Sequence, residues 1–117
     1  TVMTESEPNN TAAGANPIGS LVKTVRGTLP TGTDADFFAL PVSPGQTVTL
    51  TLTSPAGRLY GLILGPAAVT PRTAVGGTQR IQVTAPTRSA TATTFYLQVY
   101  SLTAAGSPSP YTLTIQR

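Results

Sequence analysis

Apolar and polar residues alternate strictly from Thr47 to Thr53, where the sequence reads TVTLTLT. Successive side chains of an extended backbone point to opposite faces, so Val48, Leu50 and Leu52 would share one side of a strand and the threonines the other. Residues 43–46 precede this segment with a Pro-Gly pair that is typical of a turn. The pattern therefore predicts a strand with one buried and one solvated face.

Weaker versions of the same alternation recur along most of the chain, and no segment repeats its apolar residues every 3.6 positions over three turns. We predict six further strands, at residues 21–29, 36–42, 58–64, 80–85, 94–102 and 111–116. Residues 65–77 are predicted to form a long loop with room for one short strand, and residues 1–20 have too few apolar side chains for a core strand. Seven or eight short strands separated by turns indicate an all-β protein, and specifically a β-sandwich.

The composition agrees with one β-rich domain. The 117 residues include 22 threonines, which suit a pleated surface, and 11 glycines and 11 prolines, which favour turns. A surface rich in Thr with a single lysine is typical of a secreted, extracellular protein. The chain opens at Thr1 without a recognisable signal sequence, so we interpret it as mature or excised material. The longest apolar stretch, residues 59–69, is interrupted by two glycines and a proline and is too short for membrane insertion.

The basic residues argue against nucleic acid as a partner, although the formal net charge is +3. Surfaces that bind nucleic acids cluster their lysines and arginines in a patch or stripe. Here the seven basic residues are spread singly along the chain: Lys23, Arg26, Arg58, Arg72, Arg80, Arg88 and Arg117. We therefore expect a partner that is recognised by neutral contacts more than by charge.

The four carboxylates of the chain are confined to two tight pairs, Glu5 with Glu7 and Asp34 with Asp36. A spacing of two residues puts both members of a pair on one face of an extended backbone, and Asn9 continues the first row. Like-charge repulsion opposes this concentration unless a cation compensates for it. Because the chain has neither histidine nor cysteine, oxygen ligands alone indicate Ca²⁺ rather than zinc, copper or iron.

The alternative interpretation of these acids is a solvated Glu-Pro turn and a separate surface Asp-x-Asp loop, paired with Lys23 or Arg26. The two interpretations differ in where the N-terminal residues lie. If both pairs share one ion, residues 1–10 must lie against the loop that enters the strand predicted at residues 36–42.

Catalysis finds little support in the residue types. Without histidine or cysteine, Ser-His and Cys-His arrangements are excluded. Carboxylates two residues apart, beside a proline in a flexible segment, are poorly arranged to act as a general acid opposite a general base. We predict that the protein is not an enzyme.

The acidic pairs and several strand segments resemble the bacterial pre-peptidase C-terminal domain family, which includes the collagen-binding domains of clostridial collagenases. The most specific pieces are E-S-E-P-N-N at residues 5–10 and D-A-D-F-F at residues 34–38. Weaker agreement at residues 25–29, 44–50, 95–100 and 110–115 extends the likeness nearly end to end. The resemblance implies a jelly-roll-like antiparallel β-sandwich of about seven to nine strands, secreted and attached to a peptidase or another hydrolase.

By position, the resemblance implies that residues 1–20 of this single domain (residues 1–117) bind calcium and that residues 21–117 form the sandwich. The implied ligands are Glu5, Glu7, Asn9, Asn10 and Asp36, with Asp34 as a further candidate. Asn10 stands where some relatives carry Asp, which lowers the charge of the site. Residues 65–77 depart from the acidic, Gly-rich hairpin that the family leads one to expect.

Three tyrosines are candidate ligand-binding residues. Tyr96 and Tyr100 alternate with the apolar Phe95 and Leu97, and Tyr60 is a candidate neighbour across a strand. Exposed tyrosine combines apolar area with a hydroxyl group, and the collagen-binding relatives grip the triple helix with aromatic residues on one sheet face. The alternative is that these tyrosines are partly buried and serve packing.

Two functions follow from these observations. The first is an accessory module of a secreted hydrolase that binds an extracellular protein polymer, collagen-like polymers included. The second is a self-assembling subunit of an extracellular fibre, joined to other copies of itself by exchange of the N-terminal strand or segment. The resemblance favours the first function, and the length of a single domain favours the second.

Overall fold

The computed structural model describes residues 1–65, 72–74, 78–88, 90–102 and 106–117. These residues form ten β-strands and a short 3₁₀-helix at Ala12–Gly14. The strands are β1 (Val2–Thr4), β2 (Asn16–Pro17), β3 (Thr24–Leu29), β4 (Ala35–Val42), β5 (Thr47–Thr53), β6 (Tyr60–Gly65), β7 (Arg72–Ala74), β8 (Thr78–Thr84), β9 (Thr93–Ser101) and β10 (Ser107–Gln116). No helix in this part of the chain has the length and apolar character needed to cross a membrane.

The strands form two five-stranded sheets, sheet A in the order β1-β3-β10-β5-β8 and sheet B in the order β2-β4-β9-β6-β7. Strands β3 to β10 make nested antiparallel pairs: β3 with β10, β4 with β9, β5 with β8, and β6 with β7. A long hairpin rolled up in this way, with its strands divided between two sheets, is a jelly roll. The predicted all-β, jelly-roll-like sandwich is confirmed.

Alternation along the strands fills the space between the sheets with apolar side chains. In β5, Val48, Leu50 and Leu52 are fully buried while the threonines face outward, as predicted. Burial of one such aliphatic side chain contributes about 1.5–3 kcal/mol. The core consists of Ile18, Val25, Leu29, Phe38, Leu40, Val42, Val48, Leu50, Leu52, Tyr60, Leu62, Leu64, Ile81, Val83, Ala85, Phe95, Leu97, Val99, Tyr111, Leu113 and Ile115.

The predicted strands are present, with bounds that differ by a few residues. Strand β3 begins at Thr24 rather than at residue 21, because the chain turns where Val22 N donates to Gly19 O at 3.1 Å, and Leu21 is 78% exposed. Strand β10 begins four residues earlier than predicted, and its register shifts before Tyr111. The short strand allowed for within residues 65–77 is β7, and residues 66–71 and 75–77 lie outside the described residues.

Residues 1–17, here called the N-terminal arm, lie outside the nested pairs of the jelly roll. Strand β1 pairs in parallel with β3, and β2 pairs in parallel with β4, so the arm adds one short edge strand to each sheet. Directly after β2, Ile18 N donates to Ala39 O at 2.8 Å, and the Ile18 side chain is only 1% exposed. The sequence had suggested no core contribution from this region, because one isolated apolar residue shows no periodicity.

Candidate metal centre

The N-terminal arm bridges the two sheets at one edge of the sandwich. Glu5 N donates to Arg26 O of β3 at 2.8 Å, and Phe37 N of β4 donates to Asn9 O at 2.8 Å. The stretch between these two hydrogen bonds therefore passes from sheet A to sheet B. It brings the first acidic pair next to the start of β4, where the second pair lies.

Three carboxylates meet at this crossing. Glu5, Glu7 and Asp36 each direct an oxygen atom to a place where all three oxygens lie within 4.8 Å of one another. Asp36 is fully buried, Glu5 is half-buried and Glu7 is exposed. The structure thus brings together the two acidic pairs that the sequence separates by 27 or more positions, which favours the shared site over two separate solvated turns.

Asn9 is fully buried and holds the arm in shape through its side-chain amide. Its Nδ2 donates to Glu5 Oε2 and to Asn16 Oδ1, each at 3.0 Å, and its backbone N donates to Glu7 Oε2 at 3.3 Å. Asn16 in turn closes a loop with Ser6, accepting from Ser6 N at 2.8 Å and donating to Ser6 O at 3.0 Å. No pattern in the sequence points to Asn16, because its partners depend on the path of the arm.

Asn10 joins the remaining carboxylate, Asp34, to the cluster. The end of its amide lies 2.9 Å from Asp34 Oδ1, 3.3 Å from Glu7 Oε2 and 2.8 Å from Ala35 O. The amide of Asn10 can be placed in two orientations. If its nitrogen faces these atoms, Asn10 donates to them. If its oxygen faces them, that oxygen and the three partner oxygens converge on one place, as ligands of a cation do. Asp34 also accepts from Ala35 N at 2.9 Å. All six predicted metal-binding residues therefore lie around this crossing.

Tyr111 connects the cluster to the core of the sandwich. Its buried hydroxyl donates to Asp36 Oδ2 at 2.6 Å, across 75 positions of sequence. The ring passes over Gly27 of β3, where an added Cβ would collide with the Tyr111 hydroxyl and with Glu5 Cγ. Gly27 is therefore required for the close approach of Tyr111 and Glu5. Sequence reasoning assigned neither residue a role in the site, because neither is a potential ligand by type.

Burial and mutual repulsion disfavour ionised carboxylates here. Burial above all raises the pKa of Asp36 to about 8; the hydrogen bond from Tyr111 opposes this, and the charge of Glu5 adds to it. Burial, followed by the charge of Glu7, also raises the pKa values of Glu5 and Asp34. The group that would reverse these effects is a cation, because it stabilises the ionised forms.

The residues present fit Ca²⁺. Carboxylate and amide oxygens are the hard ligands that this ion takes, usually six to eight at a time. Two buried oxygen atoms at the crossing, Asp36 Oδ1 and Asn9 Oδ1, have no hydrogen-bond partner. Leaving a buried acceptor without a partner costs about 1–3 kcal/mol. An ion that these oxygens help to coordinate would remove that cost and the repulsion together.

The three candidate ligand-binding tyrosines fall into two groups. Tyr96, which is 39% exposed, and the half-buried Tyr100 lie on the outer face of sheet B. Tyr60 is fully buried, and its ring centroid lies 6.2 Å from that of Tyr111 in an edge-to-face contact. The prediction that Tyr60 belongs to a ligand-binding surface is therefore wrong: it shares the inward face of β6 with Leu62 and Leu64.

Comparison with known proteins supports the fold. No protein-family model matches the sequence, and no curated protein matches it either. Among solved structures, the chain is similar to the pre-peptidase C-terminal domain of a collagenase from Bacillus anthracis, with a TM-score of 0.66 and 20% identity over 96% of this chain and all of that one. The resemblance seen in the sequence is thus confirmed at the level of the fold.

The same fold is shared with periplasmic inhibitors of g-type lysozyme named PliG. The inhibitor from Aeromonas hydrophila has a TM-score of 0.58 and 18% identity, covering 98% of this chain and 97% of that one. The inhibitor from Salmonella Typhimurium has a TM-score of 0.53 and 17% identity, covering 87% and 97%. The class to which this chain is similar is therefore a small all-β domain, found both as part of a collagenase and as an inhibitor.

Proposed function

We propose that this chain is a non-catalytic, calcium-binding β-sandwich module of a secreted protein, which it attaches to an extracellular protein polymer. The observation that carries the proposal is the crossing of the N-terminal arm, where three carboxylate oxygens lie within 4.8 Å of one another. Two buried oxygens without partners at the same place support it. The neighbours in fold, a collagenase domain and two protein inhibitors, support an accessory role over a catalytic one and a location outside the cytoplasm.

Calcium would be held by oxygen atoms from both sides of the crossing. Glu5, Glu7 and Asn9 from the arm and Asp36 from β4 would supply them, with Asn10 and Asp34 at the exposed side. The bound ion supplies positive charge that offsets the repulsion between carboxylates. The protein's own part is to orient the ligands: Tyr111 engages one oxygen of Asp36 and leaves the other available.

The outer face of sheet B is the proposed surface for the polymer. Cross-strand pairing places each outward tyrosine between two small residues: Tyr100 between Ala35 and Gly61, and Tyr96 between Ala39 and Gly65. The outward positions of β4, β6 and β9 carry no charged side chain. Tyrosine rings on a neutral sheet surface offer apolar area and hydroxyl groups, which suits an uncharged protein polymer.

Two measurements test this proposal. Titration calorimetry with Ca²⁺ should show one saturable binding event in the native protein and none in the double variant Glu7→Gln, Asp36→Asn. Sedimentation with insoluble collagen should lose bound protein on changing Tyr96 and Tyr100 to Ala, with little dependence on salt because few charges are neutralised. Thr49→Ala with Thr84→Ala, on the opposite sheet, is the matched control. Absence of a saturable calcium-binding heat in the native protein would contradict the proposal. Equal retention on collagen of the Tyr96 and Tyr100 variant and of the Thr49 and Thr84 variant would contradict it too.

A second candidate function is self-assembly, which the parallel edge strands β1 and β2 favour. Both are added to a complete jelly roll, mainly by backbone pairing, so the arm of another copy could occupy the same positions. Such a head-to-tail contact propagates into a filament unless its rotation closes. Deleting residues 1–10 should then leave a folded protein that no longer polymerises. A native protein that sediments as a monomer at high concentration with calcium would exclude this candidate.

A further inference from the structure

The outer face of sheet A presents threonine hydroxyl groups in register across neighbouring strands. Thr112 of β10 pairs with Thr53 of β5, and Thr114 pairs with Thr51, so four threonines form a central square. The complete set of outward threonines on β3, β5, β8 and β10 is Thr24, Thr28, Thr47, Thr49, Thr51, Thr53, Thr78, Thr84, Thr112 and Thr114. Because threonine is stiff at χ1, little side-chain entropy is lost when such hydroxyls are engaged.

Two arginines flank the central square on opposite sides. Arg26 of β3 lies in the row of Thr112 and Thr53, and Arg80 of β8 lies in the adjacent row, opposite Thr51. Both arginines are exposed. With strands ~4.8 Å apart and ~6.8 Å between alternate residues, three strand steps and one row separate their Cα atoms by roughly 16 Å. The face is thus a field of hydroxyls with one cation at each end.

No negative charge balances these arginines on their own face. All four acidic side chains of the chain lie at the crossing of the N-terminal arm, away from this face. The face also lacks aromatic rings, because each of the seven aromatic side chains lies either in the core or on the outer face of sheet B. The face is therefore positively charged, rich in hydrogen-bonding groups and without a stacking platform.

These properties exclude several occupants. A second copy docked face to face would bring two pairs of arginines together without a carboxylate between them. A neutral sugar chain would find no aromatic platform, and an apolar peptide would find little aliphatic surface beyond Val2 of the edge strand β1, which is 60% exposed. Nucleic acid carries about one charge per 1.7 Å and requires a denser basic patch than two arginines.

We propose that the outer face of sheet A binds an acidic polysaccharide, a polymer of hydroxyl-rich sugars with carboxylates at intervals. Arg26 and Arg80 would each pair with a uronate carboxylate, and the square of Thr51, Thr53, Thr112 and Thr114 would hydrogen-bond sugar hydroxyls between them. Arginine presents a fork of donors that matches a carboxylate. This face is opposite the proposed polymer-binding face of sheet B and requires no metal ion, so the two proposals stand or fall separately.

The test is affinity electrophoresis of the full chain through gels that contain hyaluronate, a uronate-bearing polymer, with dextran as the neutral comparison. Hyaluronate should retard the native protein, and dextran should not. The double variant Arg26→Gln, Arg80→Gln should lose at least about 5-fold in affinity, with Lys23→Gln, Arg88→Gln as a control of equal net charge. Thr51→Val with Thr114→Val should lose roughly 2- to 10-fold, because two hydroxyl partners are removed.

Salt and the control variant decide the interpretation. The logarithm of the affinity for hyaluronate should fall as the logarithm of the salt concentration rises. The slope should be about −1 to −2, since two charges are neutralised. Equal loss in the Lys23 and Arg88 control would show that only net charge matters and would overturn the proposal. Retardation in dextran equal to that in hyaluronate, or unchanged retardation of the Arg26 and Arg80 variant, would overturn it too.

Discussion

The N-terminal arm and the jelly roll that it lies on are held by different forces. The jelly roll encloses a continuous apolar core from both sheets, with Leu50, Phe38 and Leu97 fully buried. The arm is held by backbone pairing and by amide hydrogen bonds of Asn9 and Asn16, and it brings together carboxylates that repel one another. The first arrangement has no like-charge repulsion to offset, whereas the proposed calcium ion would stabilise the second. The apolar core and the acidic cluster therefore lie in separate parts of one small domain.

Removing apolar volume from the jelly roll should have the largest effect. Leu50→Ala leaves a cavity between the sheets and should lower the free energy of unfolding by about 2–5 kcal/mol. Because Leu50 belongs to the core and not to the candidate metal centre, the loss should be the same with calcium and with chelator. Urea unfolding under both conditions measures it. A loss of stability seen under only one of the two conditions would mean that the stability of the core depends on calcium, contrary to this prediction.

Removing calcium should affect the arm first. At a free concentration ~100-fold above the Kd, the ion should add about 2.7 kcal/mol to the free energy of unfolding. Amide hydrogen exchange of residues 1–17 should accelerate in chelator more than that of β5 or β9. The melting temperature of the variant Glu7→Gln, Asp36→Asn should be the same with calcium and with chelator. Equal melting temperatures of the native protein with calcium and with chelator would sink the prediction.

The ion-free protein should lose stability as pH rises from about 4 to about 8. Burial raises the pKa of Asp36 to about 8, so the folded state holds a proton that the unfolded state has already released. A group of this kind stabilises the fold below its unfolded pKa, and that contribution is lost as pH rises through its folded pKa. Glu5 and Asp34 act in the same direction.

Calcium should suppress this decline, because it stabilises the ionised carboxylates, and its own binding should release protons. Urea midpoints at pH 4.5, 6 and 8, in calcium-free buffer and in millimolar calcium, measure both effects. Asp36→Asn should flatten the profile of the ion-free protein. A midpoint that rises with pH in the absence of calcium would be the opposite result.

Two glycines in strands provide the smallest and most local comparison. Gly27→Ala should cost about 1–3 kcal/mol, because the new methyl group collides with Tyr111 and Glu5. It should also weaken calcium binding, since both residues belong to the crossing. Gly65→Ala has open space around it and should change stability by no more than about 1 kcal/mol, in the stabilising direction. Thermal melts and calcium titrations of the two variants check this; equal effects would contradict it.

The sequence predicted the jelly roll better than it predicted the arm, for a physical reason. A strand such as Thr47–Thr53 can be predicted from the sequence because its buried residues recur at every second position. The potential ligands were also visible, because all four carboxylates of the chain fall in two tight pairs whose mutual repulsion is costly. Contacts between distant residues left no local trace. The hydrogen bond from Tyr111 to Asp36 and the burial of Tyr60 depend on how the sheets pack, and the contact of Asn16 with Ser6 depends on the path of the arm.

The position of β1 and β2 has a consequence for aggregation. With the arm in place, β3 and β4 are interior strands of their sheets. Without it, both become edges on the same side of the sandwich, with unpaired backbone groups ready to pair with another chain. If calcium holds the arm as proposed, the ion also protects two sheet edges at once, and its loss would expose unpaired backbone groups of β3 and β4 while the core stays folded.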